Sequence, residues 1–311
     1  MVQLTHVNLP ASGPDVLDAA RTAFPELSWQ HADFPEQGLD HHVAVLSGVS
    51  GVPGEDSPLP AVVARLAIAP GVVGRADVEA RVLADVDRRA PAAVPRSLAT
   101  DGDSLTLARH VPGEPLTDTV WAELDDAART VAAAHLAGTL DALHGRDVND
   151  PELSDVRASW FPVKHSKLTR AVVKHLLPIL DRPDADTTRA ILAEAETTFI
   201  DDPVAPRLIH GDLHETHLRW ADGRLGVIDF SDMTLADPAI DVAHLAGISP
   251  DFHARVLSDL AAADRDLERR AAAYSRWDAV FLLIDHLTTG RTPETTARAL
   301  FGRALESMRG S

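Results

Sequence analysis

Three short runs in the first third of the chain are rich in β-branched and aliphatic residues: 42–46 (HVAVL), 61–68 (AVVARLAI) and 105–109 (LTLAR). Gly-, Pro- and Asp-rich segments separate them, so they read as strands of a small antiparallel sheet. Between the second and third runs, residues 77–88 place Val78, Val82, Leu83 and Val86 at helical spacing, with Asp77 positioned to cap the helix. The segment VPGEP, 111–115, is a Pro/Gly break after which the pattern turns mainly helical, which predicts a hinge between an N-lobe, 1–110, and a C-lobe, 111–311. In the second part, residues 127–144 carry Ala132, Leu136, Leu140 and Leu143 on one helical face. The helical pattern is interrupted once: 207–209 and 225–230 read as short strands, and helices return from Pro238, with Asp237 and Pro238 a natural N-cap and first helical residue.

Composition narrows the function classes. A chain of 311 residues with 45% hydrophobic residues can bury a sizeable core. It has no run of about eighteen apolar residues, and its N-terminus lacks the basic and apolar blocks of a signal peptide, so the expectation is a cytoplasmic protein with no membrane partner. With no cysteine, disulfides and thiolate metal sites are excluded, which leaves His, Asp and Glu as side-chain ligands and favours a hard cation such as Mg²⁺. Its formal net charge of −18, from 47 acidic and 29 basic residues, argues against a nucleic-acid partner and makes a neutral or cationic small molecule easier to host.

The chemistry concentrates in residues 208–245, LIHGDLHETHLRWADGRLGVIDFSDMTLADPAIDVAHL. Phosphoryl transfer asks little covalent help of a protein. It needs a carboxylate to orient or deprotonate the attacking hydroxyl and ligands for a cation that neutralises the phosphates. Asp212 lies between a strand and a turn, His217 follows five positions later, and Asp229 closes the next strand, so both parts are present.

The order HGD-x4-[N/H], IDF, DPAID resembles the aminoglycoside phosphotransferase and choline kinase superfamily. That resemblance implies an α+β, protein-kinase-like two-lobed fold, with a small antiparallel-sheet N-lobe and a mainly helical C-lobe. It implies Asp212 as catalytic base, His210 as the residue that orients the loop, Asp241 as its brace, and Asp229 as a Mg²⁺ ligand. His217 stands where most of the superfamily has Asn. A neutral imidazole can coordinate a divalent cation, and His at this place is similar to the macrolide and 2''-aminoglycoside phosphotransferases. In the N-lobe the resemblance implies that Arg65, paired with Glu79, holds the phosphates of ATP or GTP, with Arg in place of the usual Lys. It also implies a phosphate-covering loop at Gly38 and a purine-holding backbone over 107–111, including Arg109 and Val111.

For the acceptor, the helix spanning 271–287 places Asp278 and Asp285 seven residues apart on one face, with Trp277 and Phe281 beside them. Carboxylates next to aromatic rings suit an amino sugar. Three readings stand at this stage: an antibiotic kinase, a metabolic kinase for choline, a sugar or an amino-acid derivative, and a nucleotide-binding relative without turnover. The oligomeric state is left open.

Overall fold

A computed structural model describes residues 14–35, 41–69, 75–102, 104–260 and 264–310. The chain divides into two compact units: one comprises Met1–Arg88 with Val94–Val111, the other Arg89–Ala93 with Pro112–Ser311.

The first unit holds α1 (Pro14–Ala23), β1 (His31–Asp33), β2 (His41–Val49), β3 (Leu59–Ala67), α2 (Ala76–Arg89), β4 (Ser97–Thr100) and β5 (Leu105–Arg109). The five strands form one antiparallel sheet in the order β1-β2-β3-β5-β4. Alternation decides its faces. Ala44 and Leu46 of β2, Val62 and Ala64 of β3, and Leu105 and Leu107 of β5 are fully buried, and they meet Val16 and Ala20 of α1 in one apolar cluster. The three strands expected from sequence are present, while α1, β1 and β4 add to them. Asp77 corrects the expected cap, since the helix already begins at Ala76 and Asp77 sits inside its first turn. There a carboxylate still favours the positive end of the helix dipole.

The second unit opens with β6 (Glu114–Pro115), α3 (Asp118–Glu123) and α4 (Asp126–His144), followed by α5 (Phe161–Ala171) and α6 (Arg182–Glu196). Then come β7 (Arg207–Ile209), β8 (Leu218–Ala221), β9 (Arg224–Val227) and β10 (Thr234–Ala236), and last α7 (Ala239–Val242), α8 (Leu245–Ile248), α9 (Pro250–Leu260), α10 (Leu267–Thr289) and α11 (Glu294–Arg309). Strands β6, β8 and β9 form one small sheet, and β7 pairs with β10. The Asp125 side chain caps α4 by accepting from the Ala128 N–H, and Ala132, Leu136, Leu140 and Leu143 are buried as the spacing predicts. Helix α10 buries residues on every side, against α6, α7 and α11. It ends at Gly290, which takes the left-handed conformation common just past a helix.

Two local readings change. Glu114 and Pro115 of the Pro/Gly break pair with Trp220 and Arg219. The strand read over 225–230 stops at Val227, and Phe230–Asp232 form a 3₁₀ turn. No helix of the described residues is long and apolar enough to cross a membrane.

Candidate active site

The loop between β7 and β8 carries His210, Gly211, Asp212, His214 and His217, and one buried carboxylate shapes its start. Asp241 is fully buried at the head of α7. Its Oδ2 accepts from the His210 backbone N–H at 2.9 Å and its Oδ1 from the Gly211 N–H at 2.9 Å. His144, the last residue of α4, reaches the same Oδ2 at 2.9 Å. Burial alone would raise the Asp241 pKa, but the His144 and His210 imidazoles and the backbone N–H donors hold it below the usual carboxylate range. The sequence reading missed His144, because its partner lies 97 residues away.

Gly211 is required where it stands. Its φ is +87°, and an added Cβ would come 2.5 Å from the backbone oxygen of Asp232. We expect Gly211→Ala to destabilise the second unit by about 2 kcal/mol or more, through both strain and clash. A urea midpoint unchanged from the parent would refute that reading of the loop.

His210 fixes the next step of the chain. Its Nε2 donates to the Ile228 carbonyl at 2.9 Å and its Nδ1 accepts from the Asp212 N–H at 3.3 Å, so the ring bridges the Asp212 and Asp229 segments. Asp212 is half-exposed, with His214 Nε2 3.7 Å and His217 Nδ1 3.9 Å from its Oδ2. Burial would raise the Asp212 pKa, but the surrounding imidazoles of His214, His217 and His210 outweigh it and hold the carboxyl at about 2. His217 is pushed below the usual imidazole range, first by burial and then by His214. His214 goes the other way, because the carboxylates of Asp212, Glu215 and Asp229 outweigh its burial.

His217 Nδ1 donates to the Asp212 carbonyl at 2.6 Å, which leaves Nε2 directed at Asp229, 3.6 Å from its Oδ2. Asp229 has φ +62°, a conformation costing a non-glycine residue on the order of 1 kcal/mol. The Ser231 hydroxyl donates to its Oδ1 at 2.8 Å. A carboxylate held in a disfavoured backbone well, facing an imidazole nitrogen, is typical of strain retained at a working site.

Beside this loop the second unit contains a cavity of about 560 Å³. Asp212, Trp160, Tyr274, Trp277, Asp278 and Phe281 are among its walls. Asp278, one of the two acids singled out in the sequence, is thus a wall of this cavity. Burial raises its pKa, opposed by His244, whose Nε2 lies 3.7 Å away. Asp285 corrects the expected pair, because it is not among the residues lining this cavity. Its carboxylate accepts from Arg291, from Thr289 and from the backbone and side chain of Thr292, and so ties down the turn after α10.

In the first unit, Arg65 of β3 donates to Glu79 of α2 at 2.6 Å, with both side chains mostly buried. The expected cation–carboxylate pair is thus formed. Arg109 is engaged otherwise: its guanidinium pairs with Glu55 at 3.1 Å and its backbone N–H donates to the Arg96 carbonyl. That N–H is not open to a purine, whereas buried Val111 lies just past the strand end. Gly38 lies outside the described residues.

Comparison with known proteins gives the family and the fold. Residues 55–274, well over half the chain, match the phosphotransferase enzyme family, and the chain belongs to it. No curated protein matches the sequence significantly. Among solved structures, the GDP complex of wild-type aminoglycoside 2'-phosphotransferase-IIIa is similar with a TM-score of 0.75 at 21% identity, covering 96% of this chain and 99% of that one. The GDP and kanamycin complex of APH(2")-IIIa gives 0.73 at 22%, covering 95% and 97%. The macrolide 2'-phosphotransferase MphH from Brachybacterium faecium, as apoenzyme, gives 0.63 at 22%, covering 94% and 97%. The fold is that of these kinase-like small-molecule phosphotransferases.

Proposed function

We propose that this enzyme transfers the γ-phosphoryl group of ATP or GTP to a hydroxyl of a cationic, amino-bearing small molecule of the aminoglycoside or macrolide type. The observation that carries the reading is the aromatic-walled cavity with Asp212 at one side and Asp278 at another. Four carboxylates, those of Asp212, Glu215, Asp232 and Asp278, line it against two permanent cations, Lys164 and Arg303. Trp277 is buried behind Phe281, with which it stacks at a centroid distance of 5.8 Å, and the half-buried rings of Phe281 and Trp160 offer apolar surface of the kind that sugar rings cover. The kanamycin and GDP bound in a structure of the same fold lend support.

Asp212 is ionised at every working pH, so it accepts a hydrogen bond from the acceptor hydroxyl and sets its line of attack. A carboxylate with a pKa of about 2 is a poor base toward a ground-state alcohol. It suffices in a loose transition state, where the hydroxyl turns acidic only as its oxygen bonds to phosphorus. Asp241, through the His210 and Gly211 amides, holds Asp212 in place. Arg65, steadied by Glu79, binds the non-transferred phosphates.

The residues present also fit a divalent cation. His217 has committed its Nδ1 to a carbonyl and directs Nε2 toward Asp229, 3.6 Å away, which brings an imidazole nitrogen and a carboxylate together. Those two would hold Mg²⁺, which when bound supplies charge neutralisation of the phosphate oxygens. Val111 contributes the backbone against which the purine rests. The units Met1–Arg88 with Val94–Val111 and Arg89–Ala93 with Pro112–Ser311 correspond in this reading to nucleotide-binding and catalytic, acceptor-binding parts.

The test is product formation by mass spectrometry across aminoglycosides, macrolides and neutral or anionic metabolites, repeated with Asp278→Asn. For an amino-bearing acceptor, loss of one charge-assisted contact should raise KM about tenfold with kcat little changed, about 1.4 kcal/mol of binding. Phosphorylation of neutral or anionic metabolites alone, indifferent to Asp278→Asn, would reject the cationic acceptor and leave a metabolic kinase.

A further inference from the structure

His214 has no part in the phosphotransfer reading, yet it is built into the loop in a specific way. It immediately precedes the 3₁₀ turn Glu215–His217, and the His217 N–H donates back to its carbonyl at 3.0 Å. His214 itself is extended, and the return hydrogen bond folds the chain so that the two rings lie side by side. Their centroids are 4.0 Å apart. Asp212 closes the group, and one ligand atom from each of Asp212, His214 and His217 lies within 4.8 Å of the others.

Both imidazoles are oriented from behind. The Thr216 hydroxyl lies 3.1 Å from His214 Nδ1, and the Asp212 carbonyl takes His217 Nδ1–H. The carbonyl contact leaves His217 with Nε2 as its open nitrogen, the one that also faces Asp229 Oδ2 at 3.6 Å, while His214 turns its Nε2 toward Asp212 Oδ2 at 3.7 Å, an orientation of the kind that outer-shell partners impose on metal-binding histidines. Two imidazole nitrogens and one carboxylate are a poor set for Mg²⁺, which demands six near-ideal oxygen ligands, mostly water. They match Zn²⁺, which takes three such protein ligands and leaves a fourth position open. Ligand atoms around tetrahedral Zn²⁺ lie about 3.4 Å apart, given bonds of about 2.0–2.2 Å, so side-chain rotation at half-exposed Asp212 and exposed-edge His214 must close the group slightly. The 37% exposure of the His214 side chain gives the ion its way in.

We propose that Asp212, His214 and His217 form an inhibitory Zn²⁺ site. An ion bound there occupies both the carboxylate that orients the acceptor hydroxyl and the imidazole that would hold Mg²⁺. Zn²⁺ binding itself follows from the side-chain geometry alone, while the inhibition rests on the phosphotransfer reading.

The experiment uses the full chain freed of metal, titrated with Zn²⁺ against a chromophoric zinc indicator, with Co²⁺ absorption as a reporter of ligand geometry. One Zn²⁺ should bind per chain, and His214→Ala and His214→Gln should each weaken it at least tenfold, more than Asp229→Asn, which removes a neighbouring charge but none of the three ligands. Co²⁺ should give the intense visible band of a four-coordinate site in the parent and lose it in His214→Ala. Zn²⁺ should inhibit phosphoryl transfer, scored against each variant's own zinc-free rate, with the midpoint in His214→Ala raised by the same factor. No stoichiometric binding, affinity indifferent to both His214 variants, or a loss confined to Asp229→Asn would overturn the site. Tight, His214-dependent binding without inhibition would overturn the inhibitory role. Failure to find any phosphoryl acceptor would strike the proposed reaction instead, and the indicator titration would still decide the metal site.

Discussion

Asp212→Asn is expected to lower kcat by about a hundred- to ten-thousand-fold while leaving nucleotide affinity within about twofold. The amide keeps the shape and one acceptor oxygen, so the cavity and the loop hydrogen bonds survive. What is lost is the negative charge that the acceptor hydroxyl's proton moves toward as the new P–O bond forms. Because Asp212 belongs to a different compact unit from Arg65 and Glu79, to which nucleotide binding is assigned in this reading, binding of ATP or GTP should be nearly insensitive to the change. The pH profile gives a second readout. With the carboxyl held at about 2, the parent enzyme should show no rise in kcat/KM across pH 4 to 6 from this group. Single-turnover phosphoryl transfer together with nucleotide binding by titration calorimetry separates the two effects. Near-parental turnover in the variant would remove Asp212 from the reaction.

The parts of this molecule that were legible in its sequence are those whose cause is local. Strands β2, β3 and β5 declare themselves because alternation with a two-residue period survives any tertiary context. The α4 face is equally plain from the spacing of Leu136, Leu140 and Leu143. The HGD, IDF and DPAID segments are legible as a combination, and the structure brings His210, Asp212, His217, Asp229 and Asp241 together around one loop. Arg65 and Glu79 meet as expected, fourteen residues apart. Illegible parts depend on partners far along the chain. Glu114 and Pro115 read as a break because nothing local reveals that Trp220 and Arg219 pair with them. Asp237 and Pro238 read as cap and first helical residue, but the helix begins at Ala239 with Pro238 at the cap position; Asp237, one residue earlier, accepts from the Ala239 N–H, and the same carboxylate forms a buried ion pair with Arg270 of α10 at 2.7 Å. Asp285 fails for a geometric reason: heptad spacing puts it on the Asp278 face, while the turn after the helix end claims its oxygens. Helix α1 had a readable signal, Val16 and Ala20 four apart, that competes with no stronger pattern. His214 was readable too, as the middle member of D-x-H-x-x-H.

Asp241→Asn is expected to be the most damaging single change to the architecture of the site, costing about 2–4 kcal/mol of stability and most of the turnover. The carboxylate offers only acceptors, and its two oxygens meet three donors: the backbone N–H groups of His210 and Gly211 and the His144 ring. An amide placed there in either orientation sets an NH₂ against at least one of those donors, in a fully buried position. The loop start then shifts, and Asp212 with it, so kcat falls although Asp241 touches no reacting atom. The pH dependence follows from the direction of the shift. In the unfolded chain the carboxyl titrates near its ordinary value of about 3.9, and in the folded protein it is held lower. A depressed folded pKa contributes stability that is fully present above the unfolded value and is lost as pH falls through the folded one. The parent should therefore lose stability on acidification below about pH 4 partly through this group, and Asp241→Asn, which cannot titrate, should show a shallower loss over the same range. Urea unfolding at pH 7 and at several values down to pH 3 measures both quantities. A variant within about 0.5 kcal/mol of the parent at pH 7, with the same acid slope and unchanged kcat, would show that the loop holds its shape without this carboxylate.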